Sequence, residues 1–218
     1  MNEAEQRLQQ LTNALLAGKA EDVRQSTNAA LAQGNTVNEI LDALVDSVNI
    51  IVDLNEVGEY DQAKVTTAEE AVTVCLQTIE QKLQTAEGRF NAKATTGPVG
   101  IKAGNLLSMA VSASLRSVGF HATNLGKTQT ALDLLRNSEE LGVDLVIPLL
   151  AEERVEEQLR NFTESFERGG FKAKFMVIPV APGLPENVQA VIPVARNTGE
   201  AISKATEWAL KRHNKDRI

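Results

Sequence analysis

The segment His121-Ala-Thr-Asn-Leu-Gly126-Lys127-Thr128 ends in Gly-Lys-Thr, as a phosphate-cradling loop does, between an expected strand and an expected helix. In such a loop, backbone N–H groups curl round a phosphate, and a glycine five residues before the Gly-Lys pair permits the curl. Here that position is His121, so the geometry is lost. The segment reads instead as a strand-to-helix turn in which Gly126 supplies a positive φ. Gly97-Pro98-Val99-Gly100 lacks the Gly-x-Gly-x-x-Gly spacing of a dinucleotide fingerprint and also reads as a turn. The two histidines, His121 and His213, lie far apart in sequence with no Cys, Asp or Glu at ligand spacing, so no metal site is expected. Cys75 is the lone cysteine and can form neither an internal disulfide nor a thiolate cage. No nucleophile elbow supports Ser–His–Asp chemistry. Lys172 and Lys174 read as exposed charges beside a strand, and Tyr60 and Trp208 as packing anchors. The basic stretch Lys211-Arg212-His213-Asn214-Lys215 suits the negative end of a helix. No catalytic or metal-ligating residue is assigned, no cofactor-binding residue is identified, and an enzyme acting alone is the least favoured class.

The elements that would carry any site fall into two textures. Up to about Leu83 there is no proline, and apolar residues recur at helical spacing. Leu8, Leu11, Leu15 and Leu16 mark one helix ended by Gly18, and residues 20–31 a second, stopped by Gly34-Asn35. Thr36 and Glu39 form a capping box ahead of the broad apolar stripe Ile40, Leu41, Leu44, Val45, Val48, Ile51 and Val52. Gly58 interrupts the pattern, and Thr67 with Glu70 repeats the capping-box spacing. After Gly88 come all six prolines and short β-branched blocks. An extended segment ending near Ile101 and expected strands near 120–125, 144–150, 174–180 and 191–194 alternate with expected helices at 105–117, 130–141, 155–168 and 199–212. That alternation implies right-handed crossovers and a parallel sheet. The expected division is a helical bundle over residues 1–88 and an α/β domain over 89–218, joined through the polar stretch 86–97.

Composition excludes several classes. The 218 residues are 43% hydrophobic, enough for a core, and 22 Lys and Arg against 29 Asp and Glu give a net charge of -7. Nucleic acid is not expected as a partner, since that affinity rests on neutralising phosphates. No apolar run approaches a membrane span. The opening Met1-Asn2-Glu3-Ala4-Glu5-Gln6 has neither the basic nor the apolar region of a signal peptide, so the expectation is a cytoplasmic protein.

Gly58-Glu59-Tyr60 followed by Ala68 and Ala71, then Gly119-Phe120, Asn124-Leu125-Gly126 and Leu141-Gly142-Val143-Asp144-Leu145-Val146, keep their order and spacing across nearly the whole chain. In this the chain resembles the small corrinoid proteins that carry methyl groups between cobalamin-dependent methyltransferases. The resemblance implies a helical cap bundle followed by a flavodoxin-like, cobalamin-binding-type parallel sheet with helices on both faces. The family's functional motifs are not kept. Its Asp-x-His-x-x-Gly, whose histidine is the lower ligand to cobalt, falls at Lys102, Gly104 and Leu107 in one register and at Pro98, Gly100 and Ala103 in another. Its Ser-x-Leu, which contacts the buried nucleotide tail, falls at Leu149-Leu150-Ala151, and its Gly-Gly at Ile178-Pro179. Branched Ile178 and ring-bearing Pro179 would occupy the space a tail needs.

The expectation is therefore a divergent relative without cofactor, acting as an interaction, regulatory or small-ligand-binding protein beside a methyltransferase or other protein partner. The alternative is a functional corrinoid carrier holding cobalamin for a methyltransferase. Without a planar cofactor between bundle and sheet, a displaced bundle or a homodimer through the bundle is expected, drawing on the stripe 40–52.

Overall fold

The computed structural model describes residues 3–99, 103–126, 130–150, 155–179 and 194–215. The chain divides into two compact units, Met1–Ala86 and Glu87–Ile218.

The first unit is four helices: α1 (Glu3–Leu16), α2 (Ala20–Ala32), α3 (Val37–Glu56) and α4 (Gln62–Ala86). The capping box of α3 forms as the spacing predicts, with the Glu39 N–H donating to Thr36 Oγ1 at 3.2 Å and the Thr36 N–H donating to the Glu39 carboxylate at 2.7 Å. The second expected box does not form. Helix α4 starts five residues before Thr67, where Asp61 Oδ1 accepts the Lys64 N–H at 2.9 Å, and Thr67 sits inside the helix donating back to the Lys64 carbonyl. Tyr60 anchors the α3–α4 turn by donating from its hydroxyl to the Leu16 carbonyl at 2.9 Å. The stripe on α3 is consumed within the bundle: Ile40, Leu41, Leu44, Val48, Ile51 and Val52 are all buried. Side chains already covered by α1 and α4 are not available to a second copy, so the expected self-association through this stripe has no support.

The second unit runs β1 (Lys93–Val99), α5 (Gly104–Val118), β2 (His121–Asn124), α6 (Ala131–Glu140), β3 (Leu145–Leu150), α7 (Val155–Gly169), β4 (Lys174–Phe175), β5 (Ile178–Pro179) and α8 (Thr198–Lys215). The sheet is parallel, in the order β2-β1-β3-β4, with β5 also on β3. Every residue of β3 is buried, as a strand covered on both faces requires. Val146 and Leu150 pack with Leu134, Leu135, Leu159 and Phe162 of α6 and α7. Alternation turns Ile147 and Leu149 to the other face, where α5 packs with α8 beside it.

Three sequence expectations change. Gly97, Pro98 and Val99 form the end of β1 rather than a turn. Proline is tolerated in this inner strand because the Leu125 N–H donates to the Thr96 carbonyl, so the even-numbered residues aim at β2, which has ended by Pro98. The single strand expected over 174–180 is two pieces, β4 and β5, which keep one register on β3. The Met176 N–H donates to the Val146 carbonyl, so by alternation the donor that would answer Met176 belongs to Pro148, which has none. Of the strand expected at 191–194, only Val194 is among the described residues, as an isolated parallel bridge to Val177. Lys127 and Thr128 also lie outside the described residues.

Candidate functional site

In an open parallel sheet, the ligand crevice forms outside the carboxyl ends of the strands, where the strand order reverses. Here β2 lies on one side of β1 and β3 on the other, which puts the reversal between β1 and β3. The edge is framed by Val99, by Asn124-Leu125-Gly126, by Leu150 and by the first turn of α5.

A neutral hydrogen-bonded group joins these elements. Ser108 Oγ, fully buried on α5, lies 2.9 Å from Thr96 Oγ1 and 2.6 Å from Asn124 Oδ1. Thr96 donates to the Ser108 carbonyl at 3.0 Å. Asn124 Oδ1 also accepts the Gly126 N–H at 3.0 Å, while Asn124 Nδ2 donates to Asn105 Oδ1 at 3.0 Å. Gly126 adopts φ 76°, the positive value the turn reading requires. These hydroxyl and amide groups can shape the edge and orient a ligand, but none exchanges a proton near neutral pH. Thr96, Ser108 and Asn105 escape a motif search. Their only sequence signal is polarity inside apolar runs, such as Ser108 within Leu106-Leu107-Ser108-Met109-Ala110.

One group of ion-paired side chains lies at the opposite, amino edge. His121 opens β2, with Nδ1 3.4 Å from Glu87 Oε1, and Arg116 holds the other carboxylate oxygen of Glu87 at 3.2 Å. Asp144, just before β3, accepts the Lys93 N–H at 2.9 Å and pairs with Arg212 near the end of α8. A cavity of about 260 Å³ also opens there, between Leu135, Ser138, Val143, Val146 and Phe171. Lys172 and Lys174 are exposed, as the sequence suggests. Two groups have shifted ionisation. Hydrogen bonds from Lys204 and from the backbone and side chain of Arg196 lower the Glu200 carboxyl to about 2, and burial in the bundle raises the Cys75 thiol to about 11. Among the described residues no cluster of His, Cys, Asp or Glu could hold a metal ion, and no helix is long and apolar enough to cross a membrane.

The positions singled out by the lost motifs are placed as follows. Gly104 and Leu107 belong to α5, and Pro98 to β1, while Gly100, Lys102 and Ala151 lie outside the described residues. Leu149 and Ile178 pair across β3 and β5 and are buried, at 0% and 1% exposure. These residues do not fit a corrinoid whose cobalt takes a protein imidazole and whose tail passes beneath the sheet.

Residues 7–80 match the model of the B12 binding domain family. No curated protein matches the chain. Among solved structures, the chain is similar to the monomethylamine corrinoid protein of Methanosarcina barkeri, at 16% identity and a TM-score of 0.72, over 93% of this chain and 98% of that one. It also matches the methanol:cobalamin methyltransferase complex MtaBC of the same organism, at 15% identity, TM-score 0.48, over 94% and 80%. A cobalamin-binding protein of Desulfitobacterium hafniense DCB-2 follows, at 14% identity, TM-score 0.47, over 92% and 98%. The B12 binding domain match overturns the expectation that no cofactor is bound and points to cobalamin. The displaced bundle and the homodimer, expected only for a chain without cofactor, have no support. The helical unit thus carries the B12 binding domain match, and the chain as a whole shares the fold of the monomethylamine corrinoid protein.

Proposed function

We propose that this chain is a corrinoid-binding protein serving cobalamin-dependent methyl transfer in the cytoplasm, with a methyltransferase as its partner. The observation that carries this reading is the B12 binding domain match over residues 7–80, in a chain whose remaining residues form the parallel α/β unit found with it in the monomethylamine corrinoid protein. The methyltransferase partner rests on the sequence resemblance to methyl-carrying corrinoid proteins. In this reading Met1–Ala86 is the cap and Glu87–Ile218 carries the corrinoid at its carboxyl edge. The carrier reading stands ahead of an interaction or regulatory protein without cofactor. Among the described residues at that edge, Thr96, Asn105, Ser108 and Asn124 offer hydrogen bonds and shape, which suits a carrier worked on by a separate enzyme.

The test is to mix the purified chain with hydroxocobalamin and separate protein from free corrinoid by gel filtration. Corrin absorbance at the protein's elution volume, in stoichiometric amount, is the expected result. A colourless protein peak at every ratio would end the carrier reading.

A further inference from the structure

The buried stripe of α3 accounts for Ile40, Leu41, Leu44, Val48, Ile51 and Val52, and the opposite side of the helix is left without cover. Two rows of side chains run along that side. Ala43, Ile50, Leu54 and Val57, spaced by seven, four and three residues, form an apolar row about four turns or roughly 21 Å long. Ile50 is 41% exposed and Val57 72%, while Ala43 and Leu54 are half-buried. Asp42, Asp46 and Asp53 form a second row beside the first, and all three are exposed. We propose that this outer face of α3 is a docking surface for a basic amphipathic helix of a partner protein, with apolar side chains against Ile50, Leu54 and Val57 and Lys or Arg against the three aspartates.

The charge on this helix selects the occupant. The 20 residues of α3 include five acids and no Lys, Arg or His. Among the described residues, Asp42, Asp46 and Asp53 take part in no ion pair. Glu39, Asp42 and Asp46 stand three and four residues apart, a like-charge spacing that destabilises a helix. Burial, and then the neighbouring Asp46 and Glu39 carboxylates, hold the Asp42 carboxyl above its ordinary value. A single exposed apolar side chain needs no explanation, but a row at heptad spacing beside uncompensated negative charge does. A second copy of this face would set acid against acid, and an anionic membrane or a nucleic acid meets the same repulsion. A basic amphipathic helix satisfies both rows: its apolar seam covers the apolar one, and its flanking cations fix register and speed the encounter. The row from Ala43 to Val57 matches about two heptads of such a helix. The surface lies wholly within the helical unit and does not depend on the corrinoid reading.

The test uses the full chain without corrinoid and a fluorescein-labelled synthetic peptide about three heptads long, with Leu at the a and d positions and Lys at e and g. Fluorescence anisotropy follows binding, and a second peptide carries Glu in place of every Lys. Saturable binding of the Lys peptide, weakened by added salt, and none of the Glu peptide is the expected result. Asp42→Lys, Asp46→Lys and Asp53→Lys together should weaken it about tenfold or more, and so should Ile50→Ser with Val57→Ser. Glu139→Lys with Glu140→Lys, at exposed positions of α6, should leave it within about twofold. Far-ultraviolet circular dichroism checks that each variant keeps its helices, and Val57→Ser alone, at a position 72% exposed, repeats the apolar test should the pair unfold. Failure of the Lys peptide to bind, or equal binding of both peptides, would overturn the proposal. So would an equal loss from the α6 variant, or unchanged affinity in the Ile50 and Val57 variants, either of which would leave only diffuse charge. Self-association of the free chain that these α3 variants abolish would give the face to a second copy, and would overturn it too.

Discussion

Ser108 Oγ of α5 lies 2.6 Å from Asn124 Oδ1 at the end of β2, and this contact ties the helix to the carboxyl edge of the sheet. Asn124→Ala removes the acceptor of the Gly126 N–H and one of the partners of Ser108 and of Asn105, while Ser108 keeps Thr96 at 2.9 Å. Losing the acceptor of that partly buried N–H should destabilise the α/β unit by about 1–3 kcal/mol. Trp208 is the sole tryptophan and sits on α8, so its fluorescence during urea unfolding reports the α/β unit. A midpoint equal to that of the unaltered protein would show that the contact contributes nothing.

Gly97 faces the core at close quarters. A Cβ built there would lie 2.7 Å from Leu134 Cδ1, and Leu134 is fully buried. Gly97→Ala should destabilise the α/β unit by about 1–3 kcal/mol through overpacking. Leu134→Ala removes the obstructing methyl, so the double variant should be less destabilised than the two single costs predict. Strict additivity in the cycle would place the cost elsewhere.

Cys75 gives the bundle its own probe. The thiol is fully buried beside Thr27, 3.6 Å from its hydroxyl, and burial holds its pKa near 11. At pH 8 it should react with a disulfide reagent only when the bundle opens. Thr36→Ala, which deletes the capping box of α3, should cost about 1 kcal/mol and speed labelling about fivefold. Immediate labelling of the folded protein would contradict the burial.

Glu200 connects acid stability to the start of α8. Its carboxyl sits near 2 instead of 4.5 because Lys204 and Arg196 bond to it. A lowered folded value means that the stabilisation is fully present above about 4.5 and is lost as pH falls towards about 2. These groups border solvent, so Glu200→Gln should cost about 1 kcal/mol or less at pH 7. The gap between variant and parent should close as pH approaches 2. A gap that persists there would point to packing, not charge.

The sequence makes the helix–strand order plain because the patterns are local. Thr36 with Glu39 marks a helix start within four residues, and Asp-Leu-Val-Ile-Pro-Leu-Leu marks a doubly covered strand by its unbroken apolar run. Boundaries that depend on a competing local partner are not legible. Thr67 has the right spacing for a cap, yet Asp61 captures the helix start first. The split of the fourth strand depends on Pro148, 26 residues earlier in the chain than Lys174, and only the pairing register reveals it. The site is harder still. The missing motifs at Leu149 and Ile178 can be read as departures from a family pattern, but whether a cofactor is absent or held differently does not follow from them. The network of Thr96, Ser108 and Asn124 spans residues far apart in sequence, each unremarkable in its own run.

Asp144 bears on how the protein is made. Its carboxylate accepts from the Lys93 backbone and pairs with Arg212, joining the opening of the sheet to the closing helix. On a ribosome, the four-helix unit is complete once Ala86 has emerged, and it can fold from contacts between near neighbours. The α/β unit cannot fasten its amino edge until residue 212 has left the exit tunnel. Until then its central strands lack their last cover, so a holding chaperone would find its target in the second half of the nascent chain.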